Sequence, residues 1–168
     1  MNRIAKAIAV AAIHAVLVAS LGAKLLYDRS TRPRVWVQTA PVDPNLPIRG
    51  RYVSLRLAVD PRGITGNSPV AVKLHVEGDR LIAEADERAR PYDASDLHAW
   101  VSRRGNEALT VLDPPVAFFI PEHAADPSRR PAGEQLWVEV TIPRKGPPRP
   151  IRLGVKKEGG QIEPLDIE

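Results

Sequence analysis

The distribution of proline constrains this chain more than any other feature of its sequence. All 17 prolines lie at position 33 or later, so residues 1–32 contain none and residues 33–168 contain about one in eight. Proline lacks the backbone N–H and interrupts helices, which excludes a bundle of long helices for the proline-rich part. The sequence therefore predicts one long helix at the start of the chain, followed by short extended segments.

The proline-free segment contains an apolar stretch long enough to cross a membrane. Residues 7–23 lie between Lys6 and Lys24 and are interrupted by only two polar side chains. A helix over residues 4–26 would be about 34 Å long, and the hydrocarbon core of a bilayer is about 30 Å thick. We expect one transmembrane helix here, within an anchor and juxtamembrane segment that covers residues 1–34.

A cleaved signal peptide is the alternative interpretation of this segment. Its cleavage site would follow residues 18–20 or residues 21–23, and neither triplet has the usual pattern of small residues. The apolar run also continues past both triplets to Leu25, Leu26 and Tyr27, and a tyrosine suits the membrane interface. These observations favour an uncleaved anchor.

The charges on the two sides of the apolar stretch give conflicting indications of its orientation in the membrane. The number of basic residues after the apolar stretch, taken alone, would keep the rest of the chain in the cytoplasm. A short basic tail before the first apolar segment, here with Arg3 and Lys6, is typical of an exported signal anchor. We therefore expect a single-pass membrane protein with an exported C-terminal domain.

Five alanines of the apolar stretch recur at every fourth position. Small side chains in such a row let two membrane helices approach closely. Because seven of residues 7–23 are alanine, composition alone could also produce the row. We predict that it packs against a neighbouring helix; its members are Ala7, Ala11, Ala15, Ala19 and Ala23.

Beyond residue 34 apolar residues recur at every second position, which is typical of β-strands with one buried face. Prolines and Asp-Pro pairs separate these runs, and the Glu77–Arg80 segment fits a hairpin with a two-residue turn. We predict an all-β domain over residues 35–168, a single antiparallel β-sandwich or barrel of about eight strands. The runs are residues 35–40, 53–59, 70–76, 81–85, 97–102, 108–112, 116–120, 136–142 and 151–155.

Charge and residue types limit the chemistry of this domain. Six of the 24 basic and one of the 20 acidic residues lie in residues 1–34, so the remainder holds 18 basic and 19 acidic residues. A domain so close to neutral does not predict nucleic-acid binding. There is no cysteine, and His98, Glu122 and His123 lack the spacing of a known metal motif, so we predict no metal, no cofactor and no catalytic residues.

Two stretches resemble a bacterial family, the GDYXXLXY domain proteins. The first contains a Pro-Val-Asp-Pro segment at 41–44, followed by Gly50-Arg51-Tyr52-Val53-Ser54-Leu55-Arg56-Leu57 at the naming motif. The second, Phe118-Phe119-Ile120-Pro121-Glu122, is similar to an aromatic-rich signature of the same family. The resemblance implies a membrane-associated bacterial protein of uncharacterised activity, often encoded near multi-spanning membrane proteins. With the exported orientation, we expect a span in the bacterial inner membrane and a C-terminal domain in the periplasm.

This sequence departs from the naming motif at two positions. Arg51 replaces the acidic residue, which reverses a charge beside Tyr52, and Leu57 replaces the final tyrosine. Leu57 shares the strand face of Leu55, so we expect the fold to accept it.

Together these features predict a non-catalytic envelope protein whose exported domain binds a partner. The expected partner is another membrane protein, such as a multi-spanning one. Tyr52 would be the anchor of the binding surface and the nearby charges would orient the partner. The predicted surface consists of Asp43, Arg49, Arg51, Tyr52 and Glu122. A binding or carrier domain for a small envelope ligand, or a membrane-anchored hydrolase, are the alternatives.

Overall fold

A computed structural model describes residues 3–40, 52–89, 97–104, 107–144 and 146–167. The chain forms two compact units, Met1–Arg32 and Pro33–Glu168. The first contains helix α1, Arg3–Thr31, which ends just before the first proline. Its Ile4–Tyr27 segment is long and apolar enough to cross a membrane, a property that signal sequences share.

The second unit consists of β-strands. Its described residues form ten: β1 (Arg34–Ala40), β2 (Tyr52–Arg62), β3 (Val70–Glu77), β4 (Arg80–Ala85), β5 (His98–Arg104), β6 (Glu107–Asp113), β7 (Val116–Phe119), β8 (Glu134–Thr141), β9 (Arg149–Lys157) and β10 (Ile162–Pro164). The prediction of a mostly β domain that follows one apolar helix is confirmed. Each of the nine alternating segments contains a strand, and the short β10 brings the number to ten, where about eight were predicted.

Five of the strands close into a barrel in the order β2-β4-β3-β5-β6, because β6 also pairs with β2. The pairing of β2 with β4 is parallel, whereas an entirely antiparallel domain was predicted. The β3–β4 hairpin has the expected two-residue turn, in which Gly78 has a φ of 62°. β4, the second strand of this hairpin, lies between β2 and β3 in the sheet. The connection from β2 to β3 therefore skips one strand position, which β4 then fills. Alternation within a strand identifies its faces, and it carries no information about this order of neighbours.

The remaining strands extend from β2. β1 continues the sheet on one edge and is followed by β8, β9 and β10, and we call the β1-β8-β9-β10 part the extension sheet. β7 pairs with the start of β2, opposite residues 52–55. The long strand β2 therefore belongs both to the barrel and to the sheet that leaves it.

One hydrophobic core joins the barrel to the extension sheet. On β2 the buried positions are Val53, Leu55, Leu57 and Val59, which confirms the predicted alternation. Leu57 is 1% exposed and lies on the same face as the fully buried Leu55. Leu57, which stands where the motif has its final tyrosine, therefore lies in the hydrophobic core.

Candidate functional site

The two family signatures lie on neighbouring strands. Tyr52, the first residue of β2, is directly opposite Phe119, the last residue of β7. Their rings are 6.1 Å apart between centroids and inclined by 59°. This tilted arrangement is favourable for two aromatic rings, so the pair forms a preorganised aromatic surface, which we call the aromatic pair.

The aromatic pair is exposed to an unusual degree. Phe119 is 75% exposed and Tyr52 is 38% exposed. Among the described residues of Pro33–Glu168, no other large apolar side chain is exposed. Ala117, opposite Ser54 in the next row, is also exposed and leaves the surface beside the pair open.

The structure describes only part of the surface predicted from the sequence. Asp43, Arg49 and Arg51 lie outside the described residues. Tyr52 is at the start of β2, and Glu122 is exposed three residues after the end of β7. The pairing of β7 with β2 thus brings the two signatures together.

Phe119 was missed as a candidate residue, although the sequence contained a signal for it. Val116 and Ile120 are buried and Phe118 packs against the core, so these residues share the inner face of β7. Alternation then places Phe119 on the outer face with Ala117. An apolar aromatic residue on an otherwise solvent-facing side of a strand indicates an interaction surface.

The outer face of the extension sheet carries two tryptophans, Trp36 and Trp137, in a different environment. The guanidinium of Arg152 lies 5.3 Å from the Trp36 ring centroid, and the Lys156 ammonium lies 5.2 Å from that of Trp137. Arg152 also donates a 2.8 Å hydrogen bond to the Glu139 carboxylate. On the barrel, Arg56 lies 5.9 Å from the Trp100 ring centroid. Every tryptophan of the chain therefore has a cation on its ring.

The Trp36 ring and strand β10 approach the backbone of Gly154 closely. A Cβ atom at this position would be 2.8 Å from the Trp36 ring, 2.8 Å from the Ile162 methyl group and 3.0 Å from the Glu163 carbonyl oxygen. Only glycine leaves this space for Trp36 and β10.

Two grooves of the β-domain are large enough for a small ligand. One of about 650 Å³ lies between the outer face of the extension sheet and the β3–β4 turn. The other, of about 780 Å³, contains the ion pair of Lys73 and Asp86, whose charged atoms are 2.8 Å apart. The Lys73 hydrogen bond and that from the Arg88 backbone N–H lower the pKa of Asp86.

A second ion-pair cluster lies on the β2–β3 side of the barrel. Arg62 donates two hydrogen bonds of 2.9 Å to Glu77, and His75 lies 3.0 Å from the same carboxylate. These contacts, with Arg62 the larger, lower the pKa of Glu77 below its ordinary value. Among the described residues no group of three or more His, Cys, Asp or Glu side chains could share a metal ion.

The predicted alanine row lies on α1, and all five side chains are exposed. His14, in the middle of α1, donates from Nδ1 to the Val10 carbonyl oxygen at 2.8 Å. Its hydrogen bond is therefore made within the helix.

Comparisons with known proteins identify one similarity, to a protein family. No curated protein and no solved structure matches the chain. Residues 14–153, which are most of the sequence, match the family described as GDYXXLXY protein. The match includes both signatures and the strands β2 and β7 that bring them together. The chain belongs to the GDYXXLXY protein family.

Proposed function

We propose that this protein is a non-catalytic, single-pass protein of the bacterial inner membrane that presents its β-domain in the periplasm to bind another membrane protein. Residues 1–34 act as the anchor and residues 35–168 as the binding domain. The observation that carries this proposal is the exposed aromatic pair of Tyr52 and Phe119, which lies where the two family signatures meet. Large aromatic side chains of this kind dominate binding energy at protein interfaces.

The surroundings of the aromatic pair favour a protein partner. The two rings lie on paired strands, so little conformational freedom is lost when they are covered. Ala117 and Phe119 are exposed on the same face of β7 and line neither of the two grooves, so this surface suits an extended contact rather than the enclosure of a small molecule. Arg49, Arg51, Asp43 and Glu122 are the charged residues that would orient the partner.

A photo-cross-linking experiment tests the aromatic pair. A photoreactive amino acid replaces exposed Ala117 in the full chain, expressed in its native cells, and the cross-linked membrane protein is identified by mass spectrometry. Phe119→Ser and Tyr52→Ala are expected to abolish this cross-link, because each removes one ring of the surface. The control variant Lys157→Ser changes an exposed residue of the extension sheet and should retain it.

The thermal stability of each variant separates a binding role from a structural one. Retained stability of Phe119→Ser with a lost cross-link supports the proposal. A cross-link that persists in both variants, or that weakens only in proportion to lost stability, contradicts it.

The anchor is supported by the length and composition of Ile4–Tyr27. Mass spectrometry of the mature protein tests it directly, because an intact leader gives the N-terminus encoded by the sequence. An N-terminus near Leu21 or Lys24 would show cleavage and would contradict the anchor. A pair of reporter fusions at the C-terminus, one active only in the periplasm and one only in the cytoplasm, tests the orientation.

The alanine row supports contact of α1 with a neighbouring helix, because its five small side chains are exposed along one row. Ala15→Leu places a bulky side chain at the centre of the row and should weaken association in a membrane-based reporter. Ala12→Leu makes the same change off the row, and Leu17→Ala removes a large side chain. Equal effects of these three variants would contradict a role for the row.

A binding domain for a small envelope ligand is the second candidate function. The observation that favours it is the pair of grooves of about 650 and 780 Å³. The barrel interior itself is filled by core side chains such as Ala83 and Leu112, so a ligand would bind on the surface of the domain.

A further inference from the structure

The groove between the extension sheet and the β3–β4 turn contains hydrogen-bond donors that the protein does not use. Trp137, Gln38 and Lys156 line one wall of this groove of about 650 Å³. Gln38 lies directly opposite Trp137 in the register of β1 and β8. The Lys156 ammonium lies 5.2 Å from the centroid of the Trp137 ring. Gln38 and Lys156 thus flank the Trp137 side chain from its two neighbouring strands, and we call these three residues the donor corner.

The members of the donor corner lack acceptors among the described residues. The Trp137 Nε1–H is buried and has no hydrogen-bond partner there. The side chains of Gln38 and Lys156 form no hydrogen bond or ion pair with the described part of the chain either. Arg152, on the same strand as Lys156, is instead satisfied by Glu139. A buried N–H without an acceptor costs free energy, so a ligand that supplies an oxygen gains affinity.

We propose that the donor corner binds the carboxylate of a ligand. A carboxylate accepts from an ammonium, an indole N–H and an amide N–H at once, and it carries the single negative charge that Lys156 balances. The groove is also lined by two cations, Arg34 and Arg80, and two anions, Asp60 and Asp79, whose charges cancel. A phosphate, whose charge approaches −2, therefore matches the single charge of Lys156 less well than a carboxylate does. The proposal concerns a site separate from the aromatic pair and does not depend on the proposed function.

Two apolar residues of the groove define the rest of the ligand. Ile162 lies directly opposite Lys156 in the register of β9 and β10, and Leu109 of β6 lines the same groove. Arg80 is held by Asp60 at 3.3 Å, so it competes little for the carboxylate. An acidic peptide side chain and a free small carboxylic acid share this chemistry. The Lys156 ammonium, which lies over the Trp137 ring, would turn toward the bound carboxylate.

The indole N–H resonances of the full chain test this proposal. The protein is labelled with ¹⁵N-tryptophan in uncharged maltoside micelles, and its three indole signals are assigned. The probes are glutarate and the peptide acetyl-Gly-Val-Glu-amide, each compared with its uncharged amide, glutaramide or the Gln peptide. We expect both carboxylates to move the Trp137 signal downfield in a saturable manner, while the Trp100 signal stays in place. The tighter probe then distinguishes a small acid from an acidic peptide.

Two variants complete the test. Lys156→Gln should weaken carboxylate binding by about tenfold, because the charge-assisted hydrogen bond is lost. Lys157→Gln, a neighbouring exposed lysine, should leave the affinity unchanged. Unchanged Trp36 and Trp100 signals show that each variant is folded. The proposal is overturned if neither carboxylate moves the Trp137 signal at roughly 20 mM, if the amides bind equally well, or if the two variants behave alike.

Discussion

The β-domain presents two aromatic surfaces that differ in what covers them. On the extension sheet, Trp36 and Trp137 each have a cation between 5.2 and 5.3 Å from the ring centroid. The aromatic pair of Tyr52 and Phe119 has no such cation among the described residues, and Phe119 is 75% exposed. The covered rings contribute to the stability of the sheet, whereas Phe119 leaves most of its surface in solvent and therefore buries little apolar area on folding.

This difference has a physical basis in the strands themselves. Trp36 lies in the notch above Gly154, so its ring contacts backbone and side chains of β9 and β10. Phe119 ends a strand that is paired on one side with β2, and its ring contacts Tyr52. The number of neighbours, more than the type of ring, decides whether an aromatic residue is structural.

The largest expected effect distinguishes the two surfaces directly. Trp36→Ala should lower the free energy of unfolding by about 3 kcal/mol, because a large ring that contacts two strands is removed. Phe119→Ala should change it by no more than about 0.5 kcal/mol. Thermal denaturation of the full chain, followed by circular dichroism, measures both. A loss for Phe119→Ala as large as that for Trp36→Ala would show that the aromatic pair is structural.

Gly154→Ala tests how tightly the covered surface is packed around Trp36. The added methyl group would lie 2.8 Å from the Trp36 ring and from Ile162, so β10 or the ring must move. We expect a loss of about 2 kcal/mol, in the range of overpacked substitutions. Gly160→Ala is the matched control, since its Cβ would meet its nearest neighbour, the Lys157 carbonyl oxygen, at 3.3 Å. Equal melting temperatures for the two variants would mean that Trp36 and Ile162 can move aside without loss of stability.

The two cations of the covered surface, Arg152 and Lys156, should differ in how much they contribute to stability. Arg152→Met leaves Glu139, which is 8% exposed, without the side chain that donates to it. We expect a loss of about 1–2 kcal/mol, less than for a fully buried pair because Arg152 is 53% exposed. Lys156→Met removes only a cation–π contact, worth about 0.5 kcal/mol. Chemical denaturation compares the two, and a larger loss for Lys156 would contradict its availability to a ligand.

The sequence was sufficient for local features of the fold. Period-two alternation located nine of the ten strands, and the β3–β4 turn followed from a glycine between two alternating runs. The three residues of β10 are too few to show alternation, so this strand was missed. The barrel closure and the parallel pairing of β2 with β4 arise from contacts between distant segments, which alternation does not specify.

The candidate sites were predictable to different extents. The resemblance to the family singled out the signatures of Tyr52 and Phe119, and the strand pairing explains why both lie at one surface. The donor corner combines residues from β1, β8 and β9, whose spacing in the sequence carries no motif. Its chemistry depends on which groups lack partners, and this is visible only when the strands are assembled.

The smallest expected effect concerns the exposed counterpart of the Arg152–Glu139 pair. Arg62 and Glu77 are 52% and 49% exposed, and Arg62 lowers the pKa of Glu77 below its ordinary value, 4.5. A carboxylate with a lowered pKa stabilises the folded protein above its unfolded-state pKa, and this contribution disappears as the pH falls through the folded-state value. Glu77→Gln should therefore be slightly less stable than the original chain near neutral pH, and the difference should shrink as the pH falls below 4.5 and vanish below the folded-state pKa.

Melting temperatures between about pH 3 and pH 7 at low salt measure this difference. High salt should reduce it, because both side chains are half exposed and their attraction is screened. His75 contacts the same carboxylate at 3.0 Å, so a His75→Gln background separates its contribution from that of Arg62. Glu158→Gln is the control, since this exposed carboxylate forms no ion pair with the described residues. A difference that persists at low pH would mean that Glu77 acts through neutral hydrogen bonds rather than through its charge.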